Sequence, residues 1–263
     1  MTDQDMEIRK DYRPGWINDF LVALVFLTRF PLRLNLNFGM SAVGSSVRCF
    51  PLVGFIVGGI AGTVFLLALS AYLSPLVAAF LAVGAQILIT GALHEDALGD
   101  VADGFGGGVT RDKKLEIMRD SRVGTYAVVT LFVALGLKVA AISAFSDPIL
   151  GFIALLTAAG CSRGMVGLGM YLMPPARKDG LGATAGKPPL LSVMFALFFS
   201  VLIPIAILGP FAGSAALLAA SLLPLLMGWI AYRQIGGQTG DVLGSLQQVS
   251  EIGFLLTCSA LLI

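Results

Sequence analysis

Charge is scarce in this chain. Of its 263 residues only 13% are Asp, Glu, Lys or Arg, against roughly 25% in an average soluble domain. The formal net charge is +1 and no run of Lys or Arg occurs, which leaves no electrostatic case for binding nucleic acid. Histidine occurs once, at His94, and no serine or cysteine is suitably placed to build a nucleophilic triad with it. The three cysteines, Cys49, Cys161 and Cys258, lie far apart in apolar settings. That is neither a zinc spacing nor a disulfide framework. There is no HExxH, no CxxC and no Walker A lysine. The mixed-charge N-terminus does not read as a cleavable signal peptide.

What fills the chain instead is apolar: 57% of residues are hydrophobic and the mean hydropathy is +0.89. The expected fold is an all-α, polytopic membrane helical bundle, one transmembrane domain over 1–263 with about six or seven crossings. A polar tail, 1–15, precedes an apolar piece at 16–28 that is too short to span and reads as an interfacial helix. Crossings are expected at Cys49–Tyr72, Pro75–Leu93, Thr125–Ser146 and Ile149–Tyr171. The uncharged run from Pro188 to Tyr232 supplies two more, split near Gly209-Pro210. Polar loops are expected at 94–124, 172–189 and 233–251. The last apolar segment, 252–263, either crosses with distortion or stops inside the bilayer.

Basic residues fix the orientation. Arg29, Arg33 and Arg48 precede the first crossing, and the three long loops carry Arg111, Lys113, Lys114, Arg119, Arg122, Arg177, Lys178, Lys187 and Arg233. The alternate turns at 73–75, 147–148 and 209–212 carry no Lys or Arg. The positive-inside rule makes every long loop cytoplasmic. All candidate chemistry then gathers on one membrane face.

The richest stretch runs from Gly91 to Gly108. On a helix, Asp96, Asp100 and Asp103 recur at i, i+4 and i+7 and project from one narrow face. Their mutual repulsion is costly unless a cation holds them, and oxygen-only ligands suit Mg²⁺. The competing reading is a solvated acidic face. Glu95 and His94 stand beside them, and the glycines at 104–108 read either as a phosphate cradle or as a hinge.

Other constellations point to anions. Arg119 and Arg122, with Asp120 between them, are candidates for a diphosphate, or else part of a surface helix of ion pairs. Arg163 lies inside a crossing, where an ionisable group usually faces a polar cavity or a partner. Arg177 sits in a Pro- and Gly-bounded loop, Pro174 to Gly182. In Gly236 to Gly244, Asp241 completes a metal set or caps a helix, and Gln238 and Thr239 offer polar contacts. Acids, glycine loops and arginines suit Mg²⁺-assisted transfer on a diphosphate substrate. A CDP-alcohol phosphotransferase-like or prenyltransferase-like membrane enzyme fits the same parts. A divalent-cation transporter fits less well, since its acids belong near the bilayer midplane.

The stretches LHEDALGDVADGFGGG, LEIMRDSRVGTYAVV, PPARKDGLG and GGQTGDVLGSLQQVSE, with FLTRFP and FPLVGFIVGG upstream, together resemble the cobalamin synthase family, the adenosylcobinamide-GDP ribazoletransferases. The resemblance implies a multi-pass bacterial inner-membrane enzyme that uses Mg²⁺. Its small-molecule substrates are adenosylcobinamide-GDP and α-ribazole or its 5′-phosphate, and GMP is released. It also carries Glu95, Asp96, Asp100 and Asp103 over as the metal and catalytic centre, and implies that a carboxylate or His94 orients or deprotonates the attacking hydroxyl. Ala97, Gly99, Ala127 and Ser245 depart from the family pattern only by exchanges among small residues. Lipid is the implied surrounding, and association with further copies of the chain is left open.

Overall fold

The computed structural model describes residues 14–31 and 39–262. Most of the expected 1–15 tail, and Arg33, lie outside these residues. Among the described residues the chain is helical throughout, with a single isolated bridge between Pro175 and Gln238. The first helices are α1 (Trp16–Leu27), α2 (Ser41–Ser46) and, after a 3₁₀ turn, α3 (Phe50–Ser70). They are followed by α4 (Pro75–Thr90), α5 (Leu93–Gly107) and α6 (Arg111–Ile117). Then come α7 (Thr125–Ser143), α8 (Pro148–Leu172), α9 (Leu181–Thr184), α10 (Leu190–Leu208), α11 (Pro210–Ile235) and α12 (Gly240–Leu261).

Proline and small polar residues punctuate these helices as sequence chemistry dictates. Pro75, Pro148 and Pro210 each stand in the first turn, where a missing N–H costs nothing. Ser74, Asp147 and Thr239 cap α4, α8 and α12 by accepting backbone N–H bonds. Five helical segments are long and apolar enough to cross a membrane: 41–70, α7, α8, α10 and α11. The α4 and α5 pair makes a sixth only if its bent halves count as one.

That bend ends the expected Pro75–Leu93 crossing at Thr90. Helix α4 has 16 residues, about 24 Å of rise against a hydrocarbon core of roughly 30 Å. Gly91 (φ +65°) and Ala92 (φ +58°) then adopt the left-handed conformation in succession, and α5 leaves at 90° to α4. A side chain at Gly91 would also strike Arg29, whose Nε would lie 2.5 Å from an added Cβ. The acid-rich α5 therefore lies outside the five spans. The stretch 94–124 is not a loop but a helix, a sharp turn and a second, short helix.

Helix α8 is the most buried span. Small residues let α3 meet it backbone to backbone, as membrane packing favours. A Cβ on Gly54 would lie 2.3 Å from the Ala159 carbonyl oxygen, and one on Gly58 would lie 2.4 Å from that of Leu155. The expected 233–251 loop and short terminal segment need a second correction. Only 236–239 separate α11 from α12, and α12 is one continuous helix of 22 residues. Its polar residues Gln247, Gln248 and Glu251 are buried against α4, α5, α7 and α8, where each finds a partner. Partnered polar groups cost little in a core, yet they lower hydropathy as much as solvated ones.

Candidate active site

Helix α5 carries Asp96, Asp100 and Asp103 on one face, as their spacing predicts. Asp96 is exposed, and Asp100 and Asp103 are half-buried. The first turn of α12 brings Asp241 to the same place. Thr239 Oγ1 accepts from the Val242 amide at 3.2 Å and donates to Asp241 Oδ2 at 3.2 Å, so the cap also orients the acid. Arg177 enters from the loop after α8, with Nη2 3.7 Å from Asp241 Oδ2. That loop is sewn to the α11–α12 turn. The Gln238 amide donates to the Pro174 carbonyl at 2.8 Å, and the Ala176 amide to the Gln238 carbonyl at 2.8 Å.

Electrostatics confirm how close these groups are. Asp100 is pushed up to about 7, first by burial and then by the carboxylates of Asp96, Asp241 and Asp103, with Arg177 acting in the opposite sense. Asp241 is also raised, chiefly by burial, against the pull of Arg177 and Thr239. Residues far apart in the chain thus gather into one anionic cluster, with one guanidinium beside Asp241. The Arg177 Nη1 atom is buried and has no hydrogen-bond partner, a donor left for an anionic oxygen. Among the described residues no three His, Cys, Asp or Glu side chains converge tightly enough to form a complete metal cage. Mg²⁺ rarely uses one: it keeps waters and takes one or two carboxylates plus substrate phosphates. Asp96 and Asp241 line one cavity, and two carboxylates are what such an ion takes from a protein.

Asp103 has a second task. Its Oδ2 accepts from the Gly124 amide at 2.6 Å and its Oδ1 from the Ala127 amide at 2.9 Å. It caps α7 from outside, at the end where the helix dipole favours negative charge, and each oxygen keeps a lone pair. The glycines after it are not a phosphate cradle. Gly104 to Gly107 are helical, and the Gly108 amide donates back to the Gly104 carbonyl at 3.0 Å. Their bareness admits neighbours: a Cβ on Gly104 would meet Met118 Cγ at 2.4 Å, and one on Gly106 the Tyr126 ring at 2.6 Å.

The remaining candidates separate. His94 lines a cavity of about 170 Å³ together with Asp96 and Asp241. Burial first, then Arg163 and Lys138, hold it well below the usual imidazole range, so it is neutral. Glu95 turns the other way, into the bundle, and its Oε1 accepts from Gln248 Nε2 at 3.0 Å. Arg163 belongs to the same interior. Its Nη1 donates to the Ala159 carbonyl at 2.8 Å and its field meets Glu251 and Glu95. Arg119 Nη2 is held at 2.6 Å by both oxygens of Asp179, and Arg122 is forked onto Asp120. Asp120 and Arg122 line an open hollow shared with Asp103. Gln238 is buried, donating from Nε2 to the Gly182 carbonyl at 3.1 Å.

Sequence reasoning missed two features. Arg111 ties three strands of chain together, donating from Nε to the Ile235 carbonyl at 2.9 Å and from Nη2 to the Ala176 carbonyl. In the sequence it counted only among the basic residues that fix orientation, and only the fold brings those carbonyls to it. The second is an interior polar network. Glu251 accepts from Gln86 at 2.8 Å and from Gln247, and faces Lys138 at 3.5 Å. Gln247 and Gln248 link it to Ser162 and Glu95.

Comparison with known proteins agrees with this architecture. A family model described as cobalamin-5-phosphate synthase matches residues 19–259. A protein of Bradyrhizobium diazoefficiens named adenosylcobinamide-GDP ribazoletransferase is 43% identical over 244 residues, 93% of this chain and 94% of its own. One of the same name from Mesorhizobium japonicum is 44% identical over 248 residues, 94% of each chain. Another from Rhizobium meliloti is 39% identical over 254 residues, covering 93% of this chain and 97% of its own. No solved structure matches. With the match running through every helix that builds the pocket, the chain belongs to the cobalamin-5-phosphate synthase family.

Proposed function

We propose that this protein joins adenosylcobinamide-GDP to α-ribazole, or to its 5′-phosphate, releasing GMP in a Mg²⁺-dependent reaction at the cytoplasmic face of the bacterial inner membrane. The observation that carries the reading is the meeting of Asp96, Asp100 and Asp103 with Asp241 around Arg177. Asp96, Asp100 and Asp241 would hold the ion, and Asp103 would join them through the lone pairs its amide bonds leave free. Bound Mg²⁺ supplies neutralisation of the charge that develops on a diphosphate as its bond to the leaving group breaks.

The chain's own residues do the rest. Arg177, with its free Nη1, binds diphosphate oxygens and favours the in-line pose through its planar fork. The attacking ribose hydroxyl forms a new bond to the corrinoid-side phosphorus as the diphosphate P–O bond breaks. GMP leaves with the bridging oxygen, and the hydroxyl proton passes to a carboxylate. Neutral His94, on the wall of the adjoining cavity, orients the acceptor rather than attracting phosphate. Glu95 supports α5 from behind. Arg119, Asp120, Arg122 and Arg163 lie outside this inner set. The first two arginines are anchored to acids at the surface, and Arg163 to the interior network.

The test is incubation of membranes holding the protein with adenosylcobinamide-GDP, α-ribazole and Mg²⁺, with GMP and the joined corrinoid measured. Release of GMP that depends on both α-ribazole and Mg²⁺ is the expected result. Divalent-cation flux with no transfer would support the transporter reading instead.

A further inference from the structure

The anionic pocket has a neighbour of opposite character. The cavity of about 170 Å³ next to Asp96 and Asp241 is walled by Phe26, Leu27, Val43, Phe50, Val166 and Met170. Those six come from α1, α2, α3 and α8, four elements with no other part in the site. An enclosed apolar space of about 150 Å³ is enough to hold a benzene ring without water. His94, Asp96 and Asp241 bring polar groups to the same lining.

We infer that this cavity seats the aromatic base of the acceptor nucleoside, so that its ribose lies at Asp96 and Asp241 and its hydroxyl points at the diphosphate. The inference rests on the proposed transfer reaction and adds a location for one of its substrates. Two features favour ribazole over the guanine of the other substrate. Guanine carries donors and acceptors around its whole edge, and burying them against Phe, Val and Met would leave them unpaired, which is costly. The benzimidazole of ribazole is apolar except for one ring nitrogen, and the cavity's lining offers one imidazole, that of His94, to meet it.

The test fills the cavity without touching an acid. Val166→Phe, with Val166→Ile as the milder change, is assayed in proteoliposomes by GMP release with each substrate varied in turn. One methylene of misfit in an apolar pocket is worth about 10–200-fold in discrimination. The expected result is a rise of at least about tenfold in KM for ribazole, with KM for adenosylcobinamide-GDP nearly unchanged. A ribazole analogue lacking ring methyl groups should be favoured by the Phe variant relative to the wild type. If Val166→Phe does not accumulate, Phe26→Leu enlarges the same space and should shift preference toward bases with larger alkyl groups. A rise confined to KM for adenosylcobinamide-GDP, or weakened inhibition by GMP with ribazole binding intact, would overturn the assignment in favour of guanine. Equal effects on both substrates would overturn it too. Absence of GMP release by the wild type is a separate result, and it would strike the transfer reading itself.

Discussion

Lys138 and Glu251 form an ion pair inside the bundle, and removing one partner alone is the most exacting test of the fold. Their side chains are 1% and 2% exposed, and Nζ lies 3.5 Å from Oε1. At an effective dielectric of about 20 the Coulomb attraction at that distance is ~5 kcal/mol, offset in part by the cost of desolvating both ions. Lys138→Met removes the near cation and leaves Glu251 with hydrogen bonds from Gln86 and Gln247 and the field of Arg163. The expected loss is about 3 kcal/mol, the lower end of the ~3–5 kcal/mol for breaking a buried pair, because Arg163 still faces the acid. Glu251→Gln should cost a similar amount. The double variant should cost clearly less than the sum, with a coupling of about 2 kcal/mol. Unfolding is followed by helical signal in mixed micelles across a denaturing-detergent titration. Single losses under about 1 kcal/mol, or losses that simply add, would refute the claim that this pair is buried and mutually dependent.

Three further outcomes are expected. Asp96→Asn and Asp100→Asn should each reduce GMP release by about 10²–10³, ~3–4 kcal/mol of transition-state stabilisation, without loss of fold. Asp103→Ala should also lower stability by about 1.5–3 kcal/mol, since two charge-assisted bonds to α7 disappear; equal stability of all three in thermal unfolding would remove its capping role. For pH, Asp100 is raised to about 7, so its contribution to metal-free stability is complete below the carboxyl value of the unfolded chain and drains away as pH rises through 7. Mg²⁺ competes with that proton, so apparent Mg²⁺ affinity should climb up to about tenfold per pH unit below 7 and level off above; a flat profile by calorimetry between pH 5.5 and 8 would contradict it. Cysteines placed at Thr110, Lys178 and Arg233, all exposed, should react with an impermeant thiol reagent only after membranes are opened; labelling of any one in intact cells would overturn the common cytoplasmic side.

How much of this was legible beforehand depended on whether a signal was local. The i, i+4, i+7 spacing of Asp96, Asp100 and Asp103 is local, and the helix formed with all three on one face. The breaks at Asp147-Pro148 and Gly209-Pro210 are local too, and new helices start at Pro148 and Pro210. The meeting of Asp241 and Arg177 with α5 was legible only as a shared membrane side. The length of α12 was not legible, because Gln247, Gln248 and Glu251 find partners at Gln86, Glu95, Lys138 and Ser162, each distant in sequence. Hydropathy has no means of counting those bonds. Nor does a carboxylate announce that its oxygens will cap a helix 21 residues away, as those of Asp103 do.

The corner at Gly91 and Ala92 has a consequence for where the chemistry happens. A straight continuation of α4 would have carried Asp96 to Asp103 progressively farther from the lipid, each at its own depth. Turning by 90° sets the carboxylates at nearly one level, so a diphosphate can lie flat along them. It also fixes that level at the end of a short helix: lengthening α4 by one turn would lift the whole reaction plane by about 5.4 Å, away from the apolar walls beneath it. In the proposed reaction the corner acts as a depth gauge, so that water-loving phosphates and a water-avoiding ring are handled at adjoining heights.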